Sequence, residues 1–225
     1  MGLIEQNTVA AAEQVSEKER VQIKQGAGAL KVLFVGNSIT LHGPKPDIGW
    51  NGNWGMAASG IDKDYVHVTV DLLRARLGEV DYCLVNCADW ERCYWDETIL
   101  EQWRAAREFE ADVVVIRLGE NSWSVRDKLT EIDYAPHFAR MIRFFASNPK
   151  AKVIVTDLFW SKEALDAPIR SVALENGYAL VGLNDLGEAD ENMAIGEYEH
   201  RGVSLHPNDT GMRRIAERIT EKIIM

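Results

Sequence analysis

Lys31-Val32-Leu33-Phe34-Val35-Gly36-Asn37-Ser38-Ile39-Thr40 is the stretch from which the fold is read. Val32 to Val35 is a short apolar run with no polar alternation, the pattern of a strand buried on both faces, as in a parallel sheet. Gly36 stops it, so the residues that follow stand at the strand's C-terminal edge. In an open α/β sheet ligands bind at that edge, which puts the Ser38 hydroxyl on a turn at the mouth of a site. Serines after strands also commonly cap helices. The role of Ser38 is therefore decided elsewhere in the chain.

Outward from this stretch, strand and helix alternate. Residues 64–77 form a helical pattern with Tyr65, Val68, Leu72 and Leu73 on one face, closed by Gly78; residues 81–87 follow as a strand. A loop containing Asp89, Trp90, Glu91, Arg92 and Trp95 leads to a helix over 97–109 and a strand over 112–118. The helix over 134–146 ends at Asn148-Pro149, which cannot continue it. Strand 152–158, helix 163–176 closed by Gly177 and strand 178–183 complete the series. This specifies a three-layer α/β/α fold with a five-stranded parallel sheet and right-handed crossovers. The flavodoxin-like strand order 2-1-3-4-5 suits it and sets the switch point beside Ser38. Residues 5–25 are rich in Glu, Gln, Lys and Ala, with a thin apolar stripe at Val9, Val15, Val21 and Ile23. The expectation is an N-terminal helical extension over 1–28, a candidate contact for a homo-oligomer, and one catalytic domain over 29–225.

A chain of 225 residues, 46% hydrophobic and 27% charged, has the balance of a soluble single-domain protein. The formal charge of -10 argues against nucleic acid or an anionic membrane as partner. No apolar run reaches the roughly 20 residues of a membrane span, and the first residues lack a basic start and a hydrophobic segment. A cytoplasmic location is expected, although a removed signal peptide would leave no trace. Cys83, Cys87 and Cys93 are odd in number, and no Cys or His pair has zinc-ligand spacing, so reduced thiols and no metal site are expected.

Two further motifs bear on Ser38. Gly119-Glu120-Asn121-Ser122 follows the apolar run Val113 to Ile116, and His206-Pro207-Asn208 opens the last amphipathic helix. A serine hydroxyl needs a base to remove its proton, and histidine is the base suited to neutral pH. Among the other histidines, His67 and His137 fall within helices, while His42 is close to Ser38 without a motif around it. The ordered set of three motifs resembles the SGNH hydrolases, the GDSL esterase and lipase superfamily, from about Lys31 to the end of the chain. The resemblance implies the same architecture, Ser38 as nucleophile, Asn121 as oxyanion-hole donor, His206 as base, and no cofactor. It also implies a second oxyanion donor at an oxyanion-hole glycine five residues after the asparagine ending strand two. Counting from Asn86, that position is Glu91, whose backbone N–H would serve. Asn37 stands where the family has Asp before the serine. Val203 stands where it has the triad Asp. His206 is then oriented either by a backbone carbonyl, giving a dyad, or by a carboxylate such as Asp185, Glu197 or Glu199.

The long stretch 41–59, with its prolines and glycines, is the kind of loop that carries function. Trp50, Trp54, Trp90, Trp95, Trp123 and Trp160 all follow strands, so their indoles would either wall the serine pocket and meet sugar C–H groups or form the loops' own small core. The function expected is a serine esterase removing a small, acetyl-like acyl group from a small-molecule or carbohydrate ester. Trp50, Trp54, Trp90, Trp123 and Trp160 are the candidate substrate contacts. A non-catalytic carbohydrate-binding module and an acyltransferase are the alternatives.

Overall fold

The computed structural model describes residues 20–225. Strand β1 is Val21–Lys24 and β2 is Leu30–Gly36, followed by the loop and helix α1, Tyr65–Leu77. Asp64 caps α1 by accepting a hydrogen bond from the His67 N–H at 2.8 Å. Strand β3, Val80–Asn86, leads directly into a short helix α2, Ala88–Arg92. After β4, Val113–Arg117, come α3, Tyr134–Phe145; β5, Lys152–Thr156; α4, Glu163–Glu175; and β6, Ala179–Val181. A short helix α5, Arg201–Ser204, precedes the closing helix α6, Asp209–Ile224.

Among the described residues the sheet has six strands in the order β1-β3-β2-β4-β5-β6. Its β1–β3 pairing is antiparallel and every other pairing is parallel, so the sheet is mixed. This corrects the expected count of five, the all-parallel sheet and the order 2-1-3-4-5. The parallel block alone runs β3-β2-β4-β5-β6. The extra strand lies inside the segment expected to be a helical extension. Residues 5–19 of that segment lie outside the described residues, but Val21 to Lys24 pair with Val85 to Tyr82 as an edge strand. The expected boundary after residue 28 therefore cuts through the sheet. Four residues are too few to display a period, and edge pairing stabilises them through backbone bonds to β3.

Each parallel strand divides its side chains between two cores. Leu33, Val35, Val85, Val114, Ile116, Val153 and Val155 pack with Phe138, Ile142, Ile169 and Trp103 on one side of the sheet. Val32, Phe34, Leu84, Val115 and Ile154 pack with Tyr65, Leu73, Met212, Ile215 and Ile219 on the other. Helices therefore cover both faces, and the strands' C-terminal ends are left to the loops. Two loop elements depart from expectation. The stretch 97–109 is a 3-10 helix, Ile99–Trp103, running into a short helix, Arg104–Glu108. Residues after β3 expected as a loop form α2. Among the described residues no helix is long and apolar enough to cross a membrane.

Candidate active site

Ser38 sits on a tight turn immediately after β2. The Asn37 carbonyl accepts from the N–H groups of Thr40 at 2.9 Å and Leu41 at 3.0 Å, while the Asn37 side-chain oxygen accepts from Ile39 N–H at 3.3 Å. Those bonds are donated by the residues after Ser38 and not by the serine itself. Gly36 is required here because a Cβ would overlap the Thr40 hydroxyl and approach the Arg117 carbonyl at 3.0 Å. The long loop folds back over the turn, with Met56 N–H donating to the Ser38 carbonyl at 2.8 Å.

The turn after α5 brings His206 to this serine from the far end of the chain. Its Nε2 lies 2.8 Å from Ser38 Oγ, and its Nδ1 lies 2.6 Å from the Gly202 carbonyl oxygen. A carbonyl only accepts, so Nδ1 carries the ring proton. Nε2 is then a lone pair, and the Ser38 hydroxyl donates to it. Burial drives the imidazole pKa down to about 3; the Gly202 carbonyl opposes that shift, and His42 and Arg117 reinforce it. The ring is thus neutral at physiological pH and available to take a proton. Trp160 holds it from the side in an edge contact, 5.0 Å between centroids at 81°, with the indole N–H donated to Leu205.

None of the three candidate carboxylates reaches this histidine. Asp185 pairs with Arg218 at 2.6 Å, and Glu197 and Glu199 are exposed. Val203, at the position of the family's acid, is fully buried with Trp50, Met56, Ala57 and Ala194. That cluster joins the loop covering Ser38 to the loop carrying His206 by packing.

Glu91 is placed differently from expectation. Glu91 lies in α2, and its N–H is directed back along the helix to the Cys87 carbonyl at 3.4 Å. A helical N–H committed inside its own turn does not face the serine, which corrects the expected donor role of the Glu91 backbone. Its side chain, wholly buried, instead accepts from Asn37 Nδ2 at 3.0 Å, Gly119 N–H at 2.8 Å, Asn121 N–H at 3.1 Å and Asn121 Nδ2 at 2.5 Å. Gly119 adopts φ +146, and a Cβ there would lie 2.8 Å from Leu158. Arg117 is also fully buried; it pairs with Glu120 at 2.5 Å and donates to the Asn37 side-chain oxygen. Asn37 Nδ2 donates in addition to Glu120 at 2.8 Å. Burial, with Glu120 alongside, pushes the Glu91 carboxyl above its ordinary range.

The indoles do not form one wall. Trp90 is buried in the core against Tyr94, Tyr134 and Phe138, and Trp50 is buried with its N–H donated to the His42 carbonyl at 3.1 Å. Trp54 packs on Trp50 and donates to Ala58, and Trp95 packs edge-on against Tyr94. Trp123 lies under the Lys162 ammonium, 5.5 Å from the ring centroid. Among the described residues only Trp160 is in ring contact with His206. The expected substrate role is therefore corrected for Trp50 and Trp90, whose faces are spent on the loops' own packing. His42, passed over in the sequence, is fully buried; its Nδ1 meets the Gly43 carbonyl at 2.6 Å and its Nε2 has no partner. Its position four residues after Ser38 was the available signal. Among the described residues no group of His, Cys, Asp and Glu is arranged to hold a metal ion.

A doubly wound sheet with a serine and a neutral histidine in contact beyond its strand ends has the layout of an acyl-transfer hydrolase. Residues 34–214 match the GDSL-like Lipase/Acylhydrolase family, and the chain belongs to it. The family consists of esterases and lipases, hydrolases of ester bonds. Solved structures with the same fold include the lipase/acylhydrolase from Enterococcus faecalis, at 17% identity and TM-score 0.52, covering 86% of this chain and 95% of that one. Another is LAE5, an alpha/beta hydrolase enzyme from the metagenome of Lake Arreo, Spain, at 20% identity and TM-score 0.55, covering 87% and 95%. At these identities the likeness is one of fold. No curated protein matches the chain.

Proposed function

We propose that this protein is a serine esterase that removes a small acyl group through an acyl-enzyme. The observation that carries the reading is the contact of 2.8 Å between Ser38 Oγ and His206 Nε2, with Nδ1 occupied by a carbonyl. In the reaction His206 takes the Ser38 proton as the oxygen attacks the ester carbonyl, then delivers it to the departing alcohol. Water repeats the sequence on the acyl-enzyme. The oxyanion is received by the Ser38 N–H and by the Asn121 side-chain N–H not donated to Glu91, in the preorganised manner that makes such donors effective. Because the imidazolium has no carboxylate, its stabilisation comes from the Gly202 carbonyl and from the oxyanion itself.

Small acyl groups are favoured because Ser38 is 5% exposed and His206 3% exposed. A carbohydrate alcohol was expected from the indole faces, and the burial of Trp50 and Trp90 removes that support. The test is hydrolysis of p-nitrophenyl acetate and its longer-chain homologues. Ser38→Ala and His206→Ala are expected to reduce kcat by about 10³-fold or more, and kcat/KM to fall with acyl length. Asp185→Ala, Glu197→Ala and Glu199→Ala are each expected to retain kcat within about threefold. A loss of about 10²-fold or more at one of these, with the fold intact, would show a third member of the site and end the dyad.

A further inference from the structure

We propose that Glu91 is the positioning residue of this site: its carboxylate fixes the Asn121 amide relative to the Ser38 turn. The inference rests on Ser38 being the nucleophile and Asn121 an oxyanion donor. It replaces the backbone N–H expected at this position with a side-chain role.

The geometry is specific about what the side chain must be. One carboxylate oxygen accepts from Asn37 Nδ2, Gly119 N–H and Asn121 N–H, and the other accepts from Asn121 Nδ2 at 2.5 Å. Only a group with acceptors and no donor can face all of these. Glutamine is the same size but would turn an NH2 toward one set of donors. Since Glu91 is fully buried, water cannot take over the lost bonds, and each unmet donor bears its desolvation cost.

Two moving parts are tied by this one group. Asn121 has a rotatable amide, and its NH2 end is held against Glu91, which sets the direction of its second N–H. Asn37 directly precedes Ser38; its Nδ2 donates to both Glu91 and Glu120, and its oxygen accepts from Arg117 and Ile39 N–H. A shift of the Glu91 carboxylate therefore displaces donor and nucleophile together. The charged groups of the network are Glu120 and Arg117, and the Cys87 thiol and Tyr134 hydroxyl also feel the Glu91 charge. Protonating Glu91 would aim an O–H into this ring of donors. Activity should therefore fall as the pH drops through the titration of Glu91, above the pH at which His206 protonates.

The test is a kinetic cycle on the full chain with p-nitrophenyl acetate. Glu91→Gln is expected to lower kcat by about 10²-fold, the scale of losing an oxyanion donor, with KM within about threefold. In an Asn121→Ala background the same change should cost clearly less than in the parent, because one of the two groups it acts through is gone and the contact with Asn37 remains. Glu91→Gly, the family's residue, should be no better than Glu91→Gln. Near-wild-type kcat in Glu91→Gln or Glu91→Gly, or full additivity with Asn121→Ala, would overturn the proposal. If the Glu91 variants do not fold, nuclear magnetic resonance of the unmodified chain decides. The Asn121 side-chain amide protons should shift with pH together with the acid limb of kcat, and a pH-insensitive Asn121 amide would overturn the assignment. Hydrolysis that survives Ser38→Ala would defeat the esterase reading, while the Asn121 titration would still test the Glu91 contact separately.

Discussion

Val203 shows how a residue can be absent from the chemistry and still shape it. It occupies the position of the family's acid but lies with Trp50 and Met56 in the cluster that joins the loop covering Ser38 to the loop carrying His206. Restoring the acid by Val203→Asp should not restore a triad, because Nδ1 of His206 already donates to Gly202. A carboxylate in that apolar cluster would cost about 2–5 kcal/mol. The expected outcome is a lower denaturation midpoint and no gain in kcat; a gain would contradict the dyad. The histidines make a second prediction at this scale. Burial lowers the pKa of His42 to about 4 and of His206 to about 3, against 6.5 for each when exposed. Between these values the unfolded chain binds protons that the folded chain does not, so their stabilisation is full above about pH 6.5 and is lost on acidification. Glu91 and Asp157, pushed upward chiefly by burial, act in the opposite sense. The measurement is therefore a difference: urea midpoints from pH 7 to 4 should decline less steeply in His42→Gln than in the parent. Parallel declines would contradict it.

The elements differ in how openly they were written in the sequence. β2 was legible because its apolar run and Gly36 are consecutive, and α1 because thirteen residues with a cap at Asp64 display a period. β1 was not, since Val21 and Gln22 are partly buried, Ile23 and Lys24 are exposed, and the four residues gain their order from β3. The same distinction applies to the site. Ser38, Asn121 and His206 each sit in a local motif, whereas the Glu91 side chain acquires its partners from two other turns. Burial of Trp50 and Trp90 likewise depends on distant packing that no local pattern records. Gly36 gives the prediction for this scale. Gly36→Ala should force Thr40 and the Ser38 turn to move, lowering kcat by about 10²-fold while leaving most of the fold in place, as a small misplacement of a reacting group does. Circular dichroism with kinetics checks it, and a variant with parental kcat would show that the turn tolerates the methyl group.

Across the molecule, the parallel strands carry Ser38, the Asn121 turn and α2 to one edge of the sheet, and the last crossover returns His206 to the same place from 168 residues away. The loops there pack on one another through Trp50, Met56, Ala194 and Val203, leaving the Ser38 and His206 side chains almost buried. The proposed function rests on one event at this edge, transfer of an acyl group to Ser38 with His206 as its base. Covalent labelling tests that event most directly. The protein is treated with a p-nitrophenyl alkylphosphonate ester, and the adduct is located by peptide mass spectrometry in the parent and in His206→Ala. One phosphonyl adduct on Ser38, formed at least about 10²-fold more slowly without His206, is the expected result. An unlabelled Ser38, or labelling at an unchanged rate in His206→Ala, would contradict the account.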